Sequence, residues 1–457
     1  MNRLRITTVF CIIFLSSAVL IPFANADWPM FRSGPSHDGV GTGNAVLTPQ
    51  LLWKSTIANS SVGGYVGSSP TVVDGVVYVG SAVGAVPVGQ SISPSSTTGA
   101  VYALNAKSGV ELWKYSTGSL GVSSCPAVVG GVVYVGSWDD NVYALNATNG
   151  AKLWTYTTGS SVESSPTVVN GVVYVGSDNN NVYALNATNG SQLWGYNTGA
   201  AVDSSPAVVN NVVYIGTSDF GPFSFLTYDG VYALNATNGA KLWNYTASGN
   251  PVESSPAVVN GLVFIGSYNH NVYALNATNG AKLWNYTTGD AVESSPAVDN
   301  GKVYFGSFDG NIYALNATNG IRIWNYNTGN TVSSSPAIVG DVVYVVGGLQ
   351  GYVYALNATN GANLWKYSTN GGDSSPAVVN GIIYVGSGYG EVYALGSSPA
   401  SSNIVFIIVG VVVVVVVVAA VVVLIFRKRL KTKPISAETT QQNSASVYSD
   451  CARFSKP

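Results

Sequence analysis

Short apolar runs separated by small polar punctuation dominate the chain from about residue 65 to residue 395. In one full unit, 162–199, Thr167-Val168-Val169 follows Ser164-Ser165-Pro166 and ends at Asn170-Gly171, a strong hairpin signal. Val172 to Ser177 is almost wholly apolar, as expected of a strand covered on both faces. Asp178-Asn179-Asn180 turns the chain into Asn181-Val182-Tyr183-Ala184-Leu185-Asn186. Asn189-Gly190 turns it again into Gln192-Leu193-Trp194-Gly195-Tyr196. The pattern predicts four strands with tight turns, an inner strand starting at the Ser-Ser-Pro, and no helix.

The unit recurs. Its tryptophan returns as Trp53, Trp113, Trp154, Trp194, Trp243, Trp284, Trp324 and Trp365, at spacings of 60, 41, 40, 49, 41, 40 and 41 residues. A repeat of about 40 residues built from short strands is the signature of a propeller blade. There are eight Ser-Ser-Pro-type starts, and Cys125 replaces the second Ser in one of them. The last unit stops at Leu395 without a Trp strand, while Leu51-Leu52-Trp53-Lys54 has no inner strands before it. The two fragments complement each other. The predicted fold is therefore an all-β, eight-bladed propeller over residues 51–396, closed when the N-terminal strand completes the last blade; closure also removes the free sheet edges. The eight Trp are expected to be packing residues, each burying about 150–250 Å².

The segment Ala144-Leu145-Asn146-Ala147-Thr148-Asn149-Gly150-Ala151-Lys152-Leu153-Trp154 resembles the tryptophan-docking repeat of the quinoprotein (PQQ-type) propeller superfamily, Ala-x-Asp-x-x-Thr-Gly-x-x-x-Trp, with Asn replacing both Asp and Thr. Asp27-Trp28-Pro29-Met30-Phe31-Arg32, with Gly34-Pro35 and Gly39, resembles the same superfamily's lead-in (27–50 here). The resemblance implies the propeller fold over about residues 27–396. It does not choose between dehydrogenases, which use PQQ and calcium, and non-enzymatic propellers of bacterial outer-membrane assembly. The dehydrogenases carry a vicinal Cys pair, which this chain lacks.

Flanking segments set an expected location. Residues 1–26 hold Arg3 and Arg5, an apolar stretch and Ala24-Asn25-Ala26, which read as a secretory leader. After a short linker (397–403), residues 404–426 form an uninterrupted apolar run, about 34 Å long as a helix, enough to span a bilayer. Arg427, Lys428, Arg429, Lys431 and Lys433 follow, which places the tail, 427–457, in the cytoplasm. The expected protein is single-pass, with its propeller outside the cell membrane.

Residues 27–403 hold 10 Lys and Arg against 19 Asp and Glu, so nucleic-acid binding, which needs clustered cations, is not expected. The chain has two His, His37 and His270, far apart, and Cys125 is the one thiol between leader and tail. No metal-ligand spacing or nucleophile-and-base pattern appears. The expectation is a non-enzymatic scaffold that binds a protein, ligand or surface polymer, without cofactor or metal. A quinoprotein-type dehydrogenase and a single-pass surface receptor are the alternatives.

Two sets of residues stand out. Glu163, Asp203, Glu253, Glu293 and Asp373 each precede a Ser-Ser-Pro, which gathers them around one mouth of the central channel. Trp138, Tyr268 and Phe308 fall in loops of the same face, joined by Phe220, Phe223, Phe225 and Tyr228 of a long insertion. This is either an acidic, aromatic-rimmed binding mouth or a set of solvated loop ends copied by duplication. On the opposite face Asn146, Asn186, Asn235, Asn276, Asn316 and Asn357 each begin Asn-Ala-Thr, both a good turn sequence and a glycan acceptor motif.

Overall fold

The computed structural model describes residues 27–58, 64–83, 98–118, 121–218, 230–247, 250–347 and 351–397. The chain divides into two units, Met1–Ser398 and Pro399–Pro457, and every described residue belongs to the first. The leader, the apolar run 404–426 and the basic tail lie outside the described residues, as do Phe220, Phe223, Phe225 and Tyr228. Among the described residues no helix is long and apolar enough to cross a membrane.

Among the described residues, thirty-two strands form eight four-stranded sheets. Blade 3 shows how the sequence builds one: Thr167–Val169, Val172–Ser177, Asn181–Asn186 and Gln192–Asn197 pair consecutively and antiparallel. Asn170 and Gly171 both take positive φ, 50° and 77°, as a two-residue hairpin turn requires. A bulge opposite Ala184/Leu185 sets the outer strand so that Trp194 faces Ala184. Val173 and Val175 are sealed between neighbouring blades.

Each Trp docks on the next blade. Its indole Nε1 donates to a backbone carbonyl at 2.8–3.1 Å: Ala106 for Trp53, Ala147 for Trp113, Ala187 for Trp154, Ala236 for Trp194, Ala277 for Trp243, Ala317 for Trp284 and Ala358 for Trp324. Trp365 instead donates to Val46, because blade 8 has no turn of its own at that place. In blades 1 to 7 the glycine of the turn between third and fourth strands lies under the ring; a Cβ on Gly190 would come within 2.6 Å of Trp154.

The ring closes as expected. Pro49–Thr56 pairs antiparallel with Glu391–Ser397, with Leu51 opposite Leu395, and Lys54 Nζ meets Glu391 Oε1 at 2.7 Å.

Two features differ from the sequence expectation. The inner strands start after the proline, and the two serines make hydrogen bonds instead of pairing. The first Ser accepts, through Oγ, the backbone N–H twelve residues on in every blade, as Ser164 does from Gly176 at 2.9 Å. The second forms a circuit: its backbone N–H donates to the side chain of its counterpart one blade on, Ser165 to Ser205, Ser205 to Ser255, and so on to Ser375, Ser69, Cys125 and back to Ser165.

The channel, moreover, is not open throughout. Residues 28–42 cross it and touch the innermost strand of all eight blades. Val72, Val128, Val208, Val258, Val298 and Ile338 donate their N–H groups to carbonyls of Trp28, Pro29, Pro35, Ser36, Asp38 and Gly39. His37 reaches Thr167 Oγ1 at 3.2 Å, and Thr42 bridges to Val379. The inner strand edges would otherwise carry unpaired amides. The buried Arg32 guanidinium donates to the carbonyls of Pro336 and Pro296.

Candidate functional site

The connections between blades and the turns between second and third strands share one face: Asp178 N–H donates to Ser161 O and Thr198 N–H to Asn180 O. The first and third turns of each blade share the other, where Ala187 N–H donates to Gly171 O. Glu163, Asp203, Glu253, Glu293 and Asp373 therefore ring the mouth on the first face, above the N-terminal plug, and the six Asn-Ala-Thr asparagines ring the second.

The acids influence one another across the mouth. Burial first, then the charge of Asp203, pushes the Glu253 carboxyl up to about 7, against a hydrogen bond from Tyr268. Burial, Glu253 and Asp373 push Glu293 up to about 8. The pKa of Glu163 also rises, through burial and then the charges of Asp203 and Glu253. Their neutral partners are all hydrogen-bond donors. Tyr268 Oη donates to Glu253 at 2.9 Å and lies 3.3 Å from Glu293, and the Tyr268 ring packs edge-on against Phe308. Ser218 donates to Asp203 at 2.6 Å, and Ser333 to Asp373 at 2.7 Å. Trp138 donates to Ser123, which holds the corresponding position in blade 2.

Two members of the mouth escaped the sequence reading. Asp178 occupies in blade 3 the loop position of Trp138, Tyr268 and Phe308, and burial with a hydrogen bond to Asp203 raises its pKa. The shared register was the signal. Tyr65, whose hydroxyl lies 3.3 Å from Asp373, had none, since it precedes the first regular unit.

No cation balances these carboxylates: the ion pairs among the described residues are Lys54–Glu391 and His270–Asp290. Nor do the acids converge on a point, and among the described residues no three His, Cys, Asp or Glu lie close enough to share a metal ion. Away from the mouth, two further reactive groups are buried. His37 is wholly buried, and burial followed by Arg32 lowers its pKa to about 3. Cys125 belongs to the serine circuit, and burial raises its thiol.

Eight Trp-docked blades of this repeat define a PQQ-type propeller. The chain belongs to the family described as outer membrane protein assembly factor BamB, whose sequence profile matches residues 97–252 and 227–404. A search of curated proteins returned no match. Among solved structures the chain is similar to BamB from Moraxella catarrhalis, with 19% identity, a TM-score of 0.61, and coverage of 77% of this chain and 98% of that one. It is also similar to the quinohemoprotein alcohol dehydrogenase of Comamonas testosteroni, with 16% identity, a TM-score of 0.65, and coverage of 81% and 80%. A third is the computationally designed Ika8 protein, with 13% identity, a TM-score of 0.58, and coverage of 75% and 99%. At these identities the likeness concerns the fold alone.

Proposed function

We propose that this chain is a membrane-anchored, extracytoplasmic propeller that acts without catalysis, docking a partner protein through the acidic mouth. The carrying observation is the set of five carboxylates gathered at one end of a plugged channel, with donors beside them and, among the described residues, no cation paired to them. Such a rim is costly to the folded protein alone, and a basic segment of a partner relieves the repulsion and gains charge-assisted hydrogen bonds. Trp138, Tyr268 and Phe308 supply apolar contact around it. The family name, an assembly factor, agrees with a scaffold role. The leader and the apolar run 404–426 are the grounds for the location.

The quinoprotein reading fares worse at this site. PQQ is a polycarboxylate anion, and the mouth offers it neutral donors and aromatics among repelling carboxylates, with no cation paired there among the described residues; the buried Arg32 is committed to Pro296 and Pro336. The residues present do not fit that cofactor.

The test is capture by the soluble unit, residues 27–397, compared with its Glu163→Gln/Glu253→Gln/Glu293→Gln variant. The reading expects one salt-sensitive partner, lost in the variant. Equal capture by both would remove the mouth from the account. Turnover of an alcohol after loading with PQQ and calcium would restore the dehydrogenase.

A further inference from the structure

On the face opposite the acids, Asn146, Asn186, Asn235, Asn276, Asn316 and Asn357 occupy one equivalent turn, between the third and fourth strands of blades 2 to 7. In all six the Asn Oδ1 accepts the backbone N–H of the Thr two residues on, at 2.9 Å. The side-chain hydrogen bonds of these asparagines run through Oδ1, and Nδ2 is uncommitted among the described residues. All six threonines are exposed.

The turn does not need the threonine. Blade 1 makes it with Lys107, whose N–H reaches Asn105 Oδ1 at 3.0 Å. Because the cap is a backbone group, any residue with an N–H serves there; the Thr237 hydroxyl pairs with Asn211, and among the described residues folding leaves the other five Thr hydroxyls unexplained. Blade 8 has no such turn: its third strand runs out at Ser397, and Val46 receives the indole of Trp365 instead. The two blades without the tripeptide, 8 and 1, are neighbours across the seam, in the arc where the chain leaves the ring.

We propose that these six asparagines are N-glycan acceptors, giving a crown of sugar over blades 2 to 7 and a bare arc over blades 8 and 1. The donor is an oligosaccharide carried on a polyprenyl phosphate or diphosphate. Nδ2 forms a bond to the anomeric carbon and gives up one proton, the bond from that carbon to the carrier's phosphate oxygen breaks, and the carrier departs as its phosphate. The sugars lie away from the acidic mouth and leave it free. The proposal rests on the extracytoplasmic placement above.

Glycopeptide mass spectrometry of the full chain from the cells that make it, together with Thr148→Ala and Lys107→Thr variants made in the same cells, tests it. Sugar is expected at all six sites. T148A should lose it at Asn146 with an unchanged melting temperature, because the cap is a backbone group. K107T should gain it at Asn105. Bare asparagine at all six in protein that added protease reaches on intact cells would overturn the proposal and leave the surface placement standing. Bare asparagine in protein shielded from that protease would overturn both. Sugar persisting at Asn146 in T148A would also contradict it.

Discussion

Cys125 is the one irregular member of the circuit that ties neighbouring blades together: Ser69 N–H meets its Sγ at 3.1 Å, where the other links use hydroxyls at 2.9–3.0 Å. Cys125→Ser should therefore be neutral or slightly stabilising in chemical denaturation. Ser205→Ala leaves the buried Ser165 amide without its acceptor and should cost about 1–3 kcal/mol. The eightfold Ser-Ser-Pro was plain in the sequence, but its role was not. The bonds join residues 40, 50 or 56 positions apart, and 306 at the seam, which no local pattern reveals. The acids carry their own signature. A carboxyl with a higher pKa folded than unfolded holds its proton better in the native state, so its contribution is present below the ordinary 4.5 and is lost as pH rises through about 7 for Glu253 and about 8 for Glu293. Stability should fall from pH 5 to pH 8. Glu253→Gln/Glu293→Gln should flatten that slope and raise stability at pH 8 by about 1–2 kcal/mol, allowing for screening in the mouth. Thermal melts across that pH range check both.

The strands were legible because their apolar runs and Asn-Gly turns are regular, and because each Trp marks an outer strand. The plug was not. Its motif pointed to a lead-in, but its path depends on Arg32, Ser33 and His37 at positive φ, 60°, 74° and 56°, which gives no strand or helix period to read. Its contacts are backbone to backbone with seven of the inner strands and through His37 to Thr167 with the eighth, so its course is defined only once the ring exists. Deleting residues 27–42 should leave the blades intact and expose their inner edges. Hydrogen exchange at Val128, Val208, Val258, Val298 and Ile338 should quicken, while Val133 and Val173 on the second strands stay protected. Equal protection with and without the segment would show that the plug does not cover those edges. Trp154→Phe, which keeps the ring but loses the bond to Ala187, should cost about 0.5–1.5 kcal/mol by denaturation.

The closed ring followed from two incomplete units at opposite ends of the repeat, which left one arrangement with eight whole blades. Closure by a strand distant in sequence makes late docking of Pro49–Thr56 necessary for a finished fold, and it brings residues near 46 and 397 to the same arc. A chain beginning at residue 57 should lose cooperative unfolding, because the Glu391–Ser397 edge has no partner and the plug is gone with it. The faces have different chemistry: carboxylates and aromatics surround the mouth, and neutral Asn-Ala-Thr turns surround the other end. The mouth was legible as a set of residues from their shared register, but that no described cation pairs with it could be read only from the assembled ring. Photo-crosslinking in intact membranes, with the reactive group placed at Glu253 and, separately, on the exposed outer strand at Leu193, reads where a partner sits. One basic partner should be captured from position 253 and none from 193; capture from 193 alone, or equally from both, would contradict docking at the mouth.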